Sequence, residues 1–325
     1  MLIMQDIKLF KEIYGWFIEM KKILVTGGAG FIGSSLVDRL VQEPDNHITV
    51  VDNLLTGRRE YILKNAQDYQ FIKCDVNNFK DISAVMLSNN FDYVFHYAAV
   101  VGVQRTLNNP MMVLNDIDGI KNVLNLAKNT GVKTVFFSSS SEIYGESVEF
   151  PQHEHTTPLN SRLPYAVVKN AAEAFLRTFQ EEYNLNYTIF RFFNTYGPRQ
   201  SADFVISKFI DAALKGKDIP IYGDGNQSRT FCYIDDNLEA TTNILKQNLY
   251  ENDVVNIGND NETSVLELAQ LIIKLTDSKS KILHLPPLKQ GDMKRRVPDA
   301  SRMKEILGRN FITLKNGLEK IINQK

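Results

Sequence analysis

The sequence predicts an α/β fold: a doubly wound parallel sheet covered by helices on both faces, joined to a smaller α+β lobe. Three observations carry this expectation. Short β-branched runs alternate with longer amphipathic stretches, the runs are apolar almost throughout, and a glycine-rich turn follows the first of them. A strand that is apolar on both faces is one covered on both faces, which is the situation in a parallel sheet.

The elements follow in order. Residues 1–19 carry Asp, Glu and Lys among apolar positions and lack the uninterrupted apolar core of a signal peptide or membrane span. With Leu9, Ile13, Phe17 and Met20 able to share one face, the segment reads as a helical extension without a catalytic role. Strands are expected at 22–26, 47–52, 69–74, 93–98, 134–139 and 187–193, with helices at 34–42, 118–129 and 166–183. After Pro198 the alternation breaks into short strands, Gly/Asp turns such as Tyr222-Gly-Asp-Gly225, and helices at 204–214 and 265–275. The expected division is therefore 20–195 as the sheet domain and 196–325 mainly as a second lobe, some segments returning to the first, with a cleft between them.

Composition narrows the function. Of 325 residues, 43% are hydrophobic and 23% charged, which excludes a disordered, fibrous or channel-forming chain. The 37 Lys and Arg nearly balance 38 Asp and Glu, so no global field favours nucleic acid or an anionic membrane, and an anionic ligand must be held locally. Cys74 and Cys232 read as reduced core residues, in keeping with a cytoplasmic setting. The five histidines show no metal-ligand spacing, so no metal is expected; His96 reads as structural and His153 and His155 as loop residues.

The turn Thr26-Gly-Gly-Ala-Gly-Phe-Ile-Gly33 sits between the first strand and first helix, with Gly27, Gly30 and Gly33 three apart. That spacing suits a tight turn, close approach of backbone to a pyrophosphate, and helix packing, with the phosphates on the helix N-terminus. The second strand ends in Asp52, nineteen residues after Gly33, where a carboxylate can accept from ribose hydroxyls and repels a 2′-phosphate. The expected cofactor is NAD on a Rossmann-type fold. Tyr165 and Lys169, four apart at the start of a helix, share a face, and an ammonium near a phenol favours the phenolate, the form that acts as a base.

Together with Ser138-Ser-Ser-Ser-Glu-Ile-Tyr-Gly145, Tyr165-Ala-Val-Val-Lys169 and Arg191-Phe-Phe-Asn-Thr-Tyr-Gly-Pro-Arg199, the glycine turn makes the chain resemble the extended short-chain dehydrogenase/reductase family. More narrowly it is similar to the NAD-dependent nucleotide-sugar epimerases, dehydratases and decarboxylases, from about residue 21 to 307. The resemblance implies cofactor contacts from Phe31, Ile32, Asn53, Asp75, Val76, Ala98 and Ala99; from the residues alone, Asp75 serves equally as a helix cap. It implies Ser140 as the hydroxyl shared between Tyr165 and a sugar 4-hydroxyl, and oxidation at C4 to a 4-keto sugar.

Glu142 is the discriminating residue by the same resemblance, since simple 4-epimerases carry a small or neutral residue there. A 4-ketone acidifies the C5 proton, and a carboxylate facing C5 and C6 can remove it, so 4,6-dehydratase-type elimination is the expected reaction. The alternatives are UDP-hexose 4-epimerisation and UDP-glucuronate decarboxylation; against the latter, Val297 stands where decarboxylases carry a basic residue before the proline. Substrate contacts are implied for Arg105, Ser141, Asn194, Arg229 and Arg296, with Phe204, Ile219, Ile221 and Tyr222 forming an apolar slot for a pyrimidine base. Gln104 is a further candidate beside Arg105. The resemblance also implies a homodimer built through the helices at 118–129 and 166–183.

Overall fold

A computed structural model describes residues 20–64, 66–146, 148–287 and 295–325, without the side chains of Val103 and Gln104. The expected extension at 1–19, the side chain of Gln104 and Lys294 lie outside the described residues.

The first half of the chain builds β1 (Lys21–Thr26), α1 (Phe31–Leu40), β2 (Asn46–Asp52), β3 (Tyr69–Lys73), α2 (Phe79–Ser88), β4 (Tyr93–His96), three successive helices α3 (Val103–Asn108), α4 (Pro110–Leu114) and α5 (Asp116–Thr130), β5 (Thr134–Ser140), α6 (Pro164–Tyr183) and β6 (Asn186–Phe192). The second half adds β7 (Thr195–Tyr196), α7 (Val205–Leu214), β8 (Ile219–Tyr222), β9 (Ser228–Thr230), β10 (Cys232–Tyr233), α8 (Ile234–Gln247), β11 (Asp253–Ile257), β12 (Glu262–Ser264), α9 (Val265–Leu275), β13 (Ile282–Leu285), α10 (Ser301–Leu307) and α11 (Leu314–Ile322).

Seven parallel strands form the central sheet in the order β3-β2-β1-β4-β5-β6-β11. The order reverses between β1 and β4, and at such a switch point loops on the carboxyl side diverge and leave a crevice. β11 comes from the second half of the chain, so the chain returns from the smaller lobe to the sheet, where β11 pairs in parallel with β6, Val255 opposite Phe190, and forms the edge.

Alternation along each strand feeds two cores. Ile23 and Val25 of β1 pack with Leu36 and Leu40 of α1 and with Phe95, Phe136 and Phe190 on one face, whereas Leu24, Val94, Phe137 and Ile189 face α2, α5 and α6 on the other. Phe95 stacks on Phe136 at 4.5 Å between ring centroids, bridging β4 and β5 near the crevice. Each buried side chain of this size contributes about 2 kcal/mol, so the sheet is a rigid platform. β4 ends two residues before the expected 98 because the amides of Tyr97 and Ala98 both turn to donate to Thr26 Oγ1, at 3.1 Å each.

The smaller lobe consists of three two-stranded pieces, β8 with β13, β9 with β12, and β7 with β10. α9 enters it through a capping box, Ser264 accepting from the Glu267 amide while Glu267 accepts from that of Ser264. Cys74 and Cys232 are both free and buried, which fits the reading from the sequence. Among the described residues no helix is long and apolar enough to cross a membrane.

Candidate active site

A cleft of about 980 Å³ runs over the carboxyl ends of the strands and under the smaller lobe. Its first half is lined by Gly27, Gly30, Phe31, Ile32, Gly33, Asp52, Asn53, Asp75, Val76, Ala98 and Ala99, the whole set of expected cofactor residues.

The glycine turn is built for a tight backbone. Gly27 adopts φ +70°, and a β-carbon there would sit 2.7 Å from the Ala98 amide nitrogen. At Gly33 a β-carbon would press on the Gly27 carbonyl oxygen and lie 3.0 Å from Gly28 Cα, so the helix packs on the turn only without a side chain. α1 then starts immediately after Gly30, with no side chain capping its first turn. The free amides and the dipole at that end suit a phosphate.

Asp52 closes this half. Its Oδ2 accepts from the Ala29 amide at 3.0 Å and Oδ1 from the Leu54 amide at 2.7 Å, so the carboxylate locks the turn to the end of β2. Burial pushes its pKa up, and the two backbone bonds pull the other way. Asn53 Nδ2 donates to Asp75 Oδ2 at 3.3 Å, and Asp75 Oδ1 accepts from the Asn77 amide at 3.0 Å. Asp75 is therefore not the cap of α2; that role falls to Asn78, whose side chain accepts from the Lys80 amide. The residues present thus fit a dinucleotide, with a glycine cradle at the pyrophosphate end and a carboxylate at the ribose end.

Tyr165 and Lys169 project from the start of α6 toward the end of β5. Ser140 lowers the pKa of the Tyr165 phenol and accepts from the Glu142 amide at 3.2 Å, at the head of a single 3₁₀ turn, Ser141–Tyr144. Lys169 is buried and donates from Nζ to the Ser138 carbonyl at 2.6 Å, 4.7 Å above the Phe137 ring. Burial pushes its pKa down to about 8, with the Asp116 carboxylate partly offsetting that effect.

One expectation is corrected here. The pairing with Lys169 was to favour the phenolate, yet the Tyr165 pKa is raised, first by burial and then by the charge of Glu142, while Ser140 and Arg296 pull it down. The ammonium is directed at a carbonyl of β5 rather than at the phenol oxygen, which accounts for the difference.

At the far end of the cleft Arg296, buried, donates from Nη1 to Ser141 Oγ at 3.3 Å and lies 4.0 Å from Glu142 Oε1. Asn194, in the left-handed region at φ +36°, donates to the Thr230 carbonyl at 2.9 Å, and Arg229 donates to the Ser228 carbonyl at 2.7 Å. Arg105 donates to the Val101 carbonyl at 2.6 Å and faces Asp203 of the smaller lobe at 3.6 Å. Phe204, Ile221 and Tyr222 line the cleft together with Pro220 and Phe231. Ile219 does not: it is fully buried in the core at the start of β8, two residues short of the cleft-lining Ile221 on the same face of the strand.

His96 is neutral, bonded to Thr26 Oγ1 at 2.9 Å and held down to about 3 by burial and then by Lys169. His153 contacts Asp299 and His155 contacts Asp253, both at a distance from the cleft lining. Asp116 and Arg199 are among the cleft residues that the sequence reading does not assign. Asp116 opens α5 and accepts from the Val100 amide at 2.7 Å and from Asn77 at 3.3 Å. Arg199 ties the smaller lobe to α1, bonding Ser34 at 3.0 Å and Asp38 at 2.6 Å. Arg199 stood within the quoted motif; no local signal marks Asp116.

Comparison with known proteins places this geometry. Residues 23–258 match the model of the NAD dependent epimerase/dehydratase family. The chain is 35% identical over 299 residues to the UDP-N-acetyl-alpha-D-glucosaminuronate decarboxylase of Bacillus cytotoxicus, covering 88% of this chain and 91% of that one. It superposes on the UDP-glucose 4-epimerase of Thermotoga maritima with UDP-glucose at TM-score 0.87 and 33% identity, over 93% of this chain and 97% of the other. It also superposes on the UDP-glucose 4-epimerase of Thermus thermophilus in complex with NAD, at TM-score 0.86 and 28% identity, over 93% and 98%. With the glycine turn, Asp52 and the Tyr165–Lys169 helix all around one cleft, the chain belongs to the NAD-dependent epimerase/dehydratase family, and NAD is its cofactor.

Proposed function

We propose that the protein oxidises a UDP-sugar at C4 and then acts at C5 and C6, and that its substrate is a UDP-hexuronate that loses its carboxylate. The observation that carries this reading is the buried Arg296 beside Ser141 and Glu142, at the end of the cleft beyond Tyr165. A guanidinium fork binds a carboxylate bidentately, and a C6 carboxylate presents two oxygens to it. The relative from Bacillus cytotoxicus, by its name a uronate decarboxylase, supports the same choice.

In this reading Tyr165 takes the proton of the 4-hydroxyl and Ser140 holds that oxygen in line. The cofactor would supply a hydride acceptor and donor at C4. The ketone at C4 is then β to the C6 carboxylate, so the electron pair of the C5–C6 bond flows into the carbonyl as CO₂ departs. Glu142 is the group that handles the C5 proton when the enolate collapses, and Arg296 with Ser141 orients the carboxylate before it leaves. Asp52 would hold the adenosine ribose of the cofactor, and the amides after Gly30 would hold its pyrophosphate. Arg229 binds the substrate diphosphate, and Phe204, Ile221 and Tyr222 form the slot for uracil.

The second reading is elimination of water across C5 and C6, the reaction expected from the sequence. It is favoured by the single carboxylate of Glu142 facing the cleft beside Tyr165. Replacing Arg296 by Met separates the two. The decarboxylation reading expects a rise of at least about tenfold in KM for UDP-glucuronate, with UDP-glucose binding changed less than about twofold. Equal weakening of both sugars contradicts it.

A further inference from the structure

Glu173 lies on the same stripe of α6 as Tyr165 and Lys169, four residues beyond the lysine. It is fully buried. Its Oε1 accepts from Ser139 Oγ at 2.7 Å and from Arg191 Nε at 3.0 Å, and its Oε2 accepts from Arg191 Nη2 at 2.7 Å. Arg191 is also buried, stands opposite Ser139 in the β5–β6 ladder, and donates from Nη1 to Tyr144 Oη at 2.8 Å and to the Glu154 carbonyl at 2.7 Å.

Ser139, the residue this carboxylate holds, sits between two contacts of the active site. On one side the Ser138 carbonyl takes the Lys169 ammonium, and on the other Ser140 is the hydroxyl that lowers the pKa of the Tyr165 phenol and receives the Glu142 amide. Tyr144 ends the 3₁₀ turn that carries Glu142. A buried ion pair is rarely more stabilising than a well-packed apolar pair of the same volume, so its benefit is geometric: two forked, charge-assisted bonds admit one register, where apolar side chains admit several.

We propose that Glu173 and Arg191 are positioning residues: their buried pair fixes α6 against β5 and β6, and through Ser139 it sets where the Ser140 hydroxyl stands relative to the Tyr165 phenol. Neither side chain is needed to touch substrate or cofactor. The inference rests on Tyr165 as the proton-transfer group of the proposed function, and is independent of which sugar is used.

The test reads Tyr165 without turnover. NAD-saturated protein carrying [13Cζ]tyrosine is compared as wild type, Ser139→Ala and Glu173→Gln, with the Tyr165 resonance assigned by its loss in Tyr165→Phe. The Tyr165 resonance is expected to move in Ser139→Ala by more than its linewidth, with NAD affinity within about twofold of wild type. Glu173→Gln is expected to move it in the same direction; if that variant does not fold, Ser139→Ala decides, since it keeps the ion pair and cuts only the link. A Tyr165 resonance at its wild-type position in folded Ser139→Ala overturns the proposal, because a merely structural pair changes melting temperature and leaves the phenol where it was. No sugar is present, so failure of the decarboxylation reading and failure of this one appear in different experiments.

Discussion

Lys169 makes the fold less stable than it could be, and replacing it by Met exposes by how much. Burial pulls the lysine from 10.5 to about 8, which at about 1.4 kcal/mol per pH unit is a penalty of about 3 kcal/mol on the charged folded form. The folded pKa lies below the unfolded one. Below about pH 8 the group is charged in both states and the penalty is present in full; between about 8 and 10.5 the unfolded chain holds a proton the folded chain has lost, so stability rises with pH. Lys169→Met removes the penalty and forfeits the charge-assisted bond to the Ser138 carbonyl, a loss of about 2 kcal/mol. The variant should therefore be about 1 kcal/mol more stable than wild type at pH 7, and that advantage should shrink steadily between pH 8 and 10.5. Urea unfolding of both NAD-free proteins at pH 7, 9 and 10 measures this, the difference cancelling other groups that titrate in the range. A variant less stable than wild type at pH 7, or a difference that does not change with pH, refutes the reasoning.

Three further outcomes follow from the same geometry. Gly33→Ala forces a β-carbon onto the Gly27 carbonyl, an overpacking of about 1–3 kcal/mol in the cofactor turn, so NAD affinity by fluorescence titration should fall between about fivefold and 150-fold. Tyr165→Phe should bind NAD as wild type does while the absorbance rise at ~340 nm that follows sugar oxidation slows by about 10²–10⁴. Glu142→Gln should leave that rise in place and suppress the later step, read as accumulation of the 4-keto sugar; product formation at the wild-type rate removes Glu142 from the chemistry.

The cofactor half of the cleft was legible because its determinants are local. A glycine turn and an acidic residue at the end of the next strand lie within one βαβ stretch, and each acts where the sequence puts it. Ile219 was misassigned because four consecutive apolar residues do not reveal how far along the strand the opening reaches: Ile221 on the same face lines the cleft, and Ile219 is sealed in the core. The seventh strand was not foreseen, since Asp253–Ile257 reads as one more short run until its register with β6 is known. Asp116 and the Glu173–Arg191 pair depend on contacts between segments far apart in the chain, and no spacing encodes them. The raised phenol of Tyr165 has the same origin: helical spacing puts Lys169 on the right face, but the carbonyl that captures its ammonium belongs to another element.

The central claim is that this site takes a sugar with a carboxylate at C6. Mass spectrometry of UDP-glucuronate, UDP-N-acetylglucosamine and UDP-glucose, each incubated with the enzyme and NAD, tests it directly. The account predicts loss of about 44 Da from UDP-glucuronate and unaltered mass for the other two. Loss of about 18 Da from either neutral sugar, or a uronate product of unchanged mass with a new retention time, contradicts it and makes the protein a dehydratase or an epimerase.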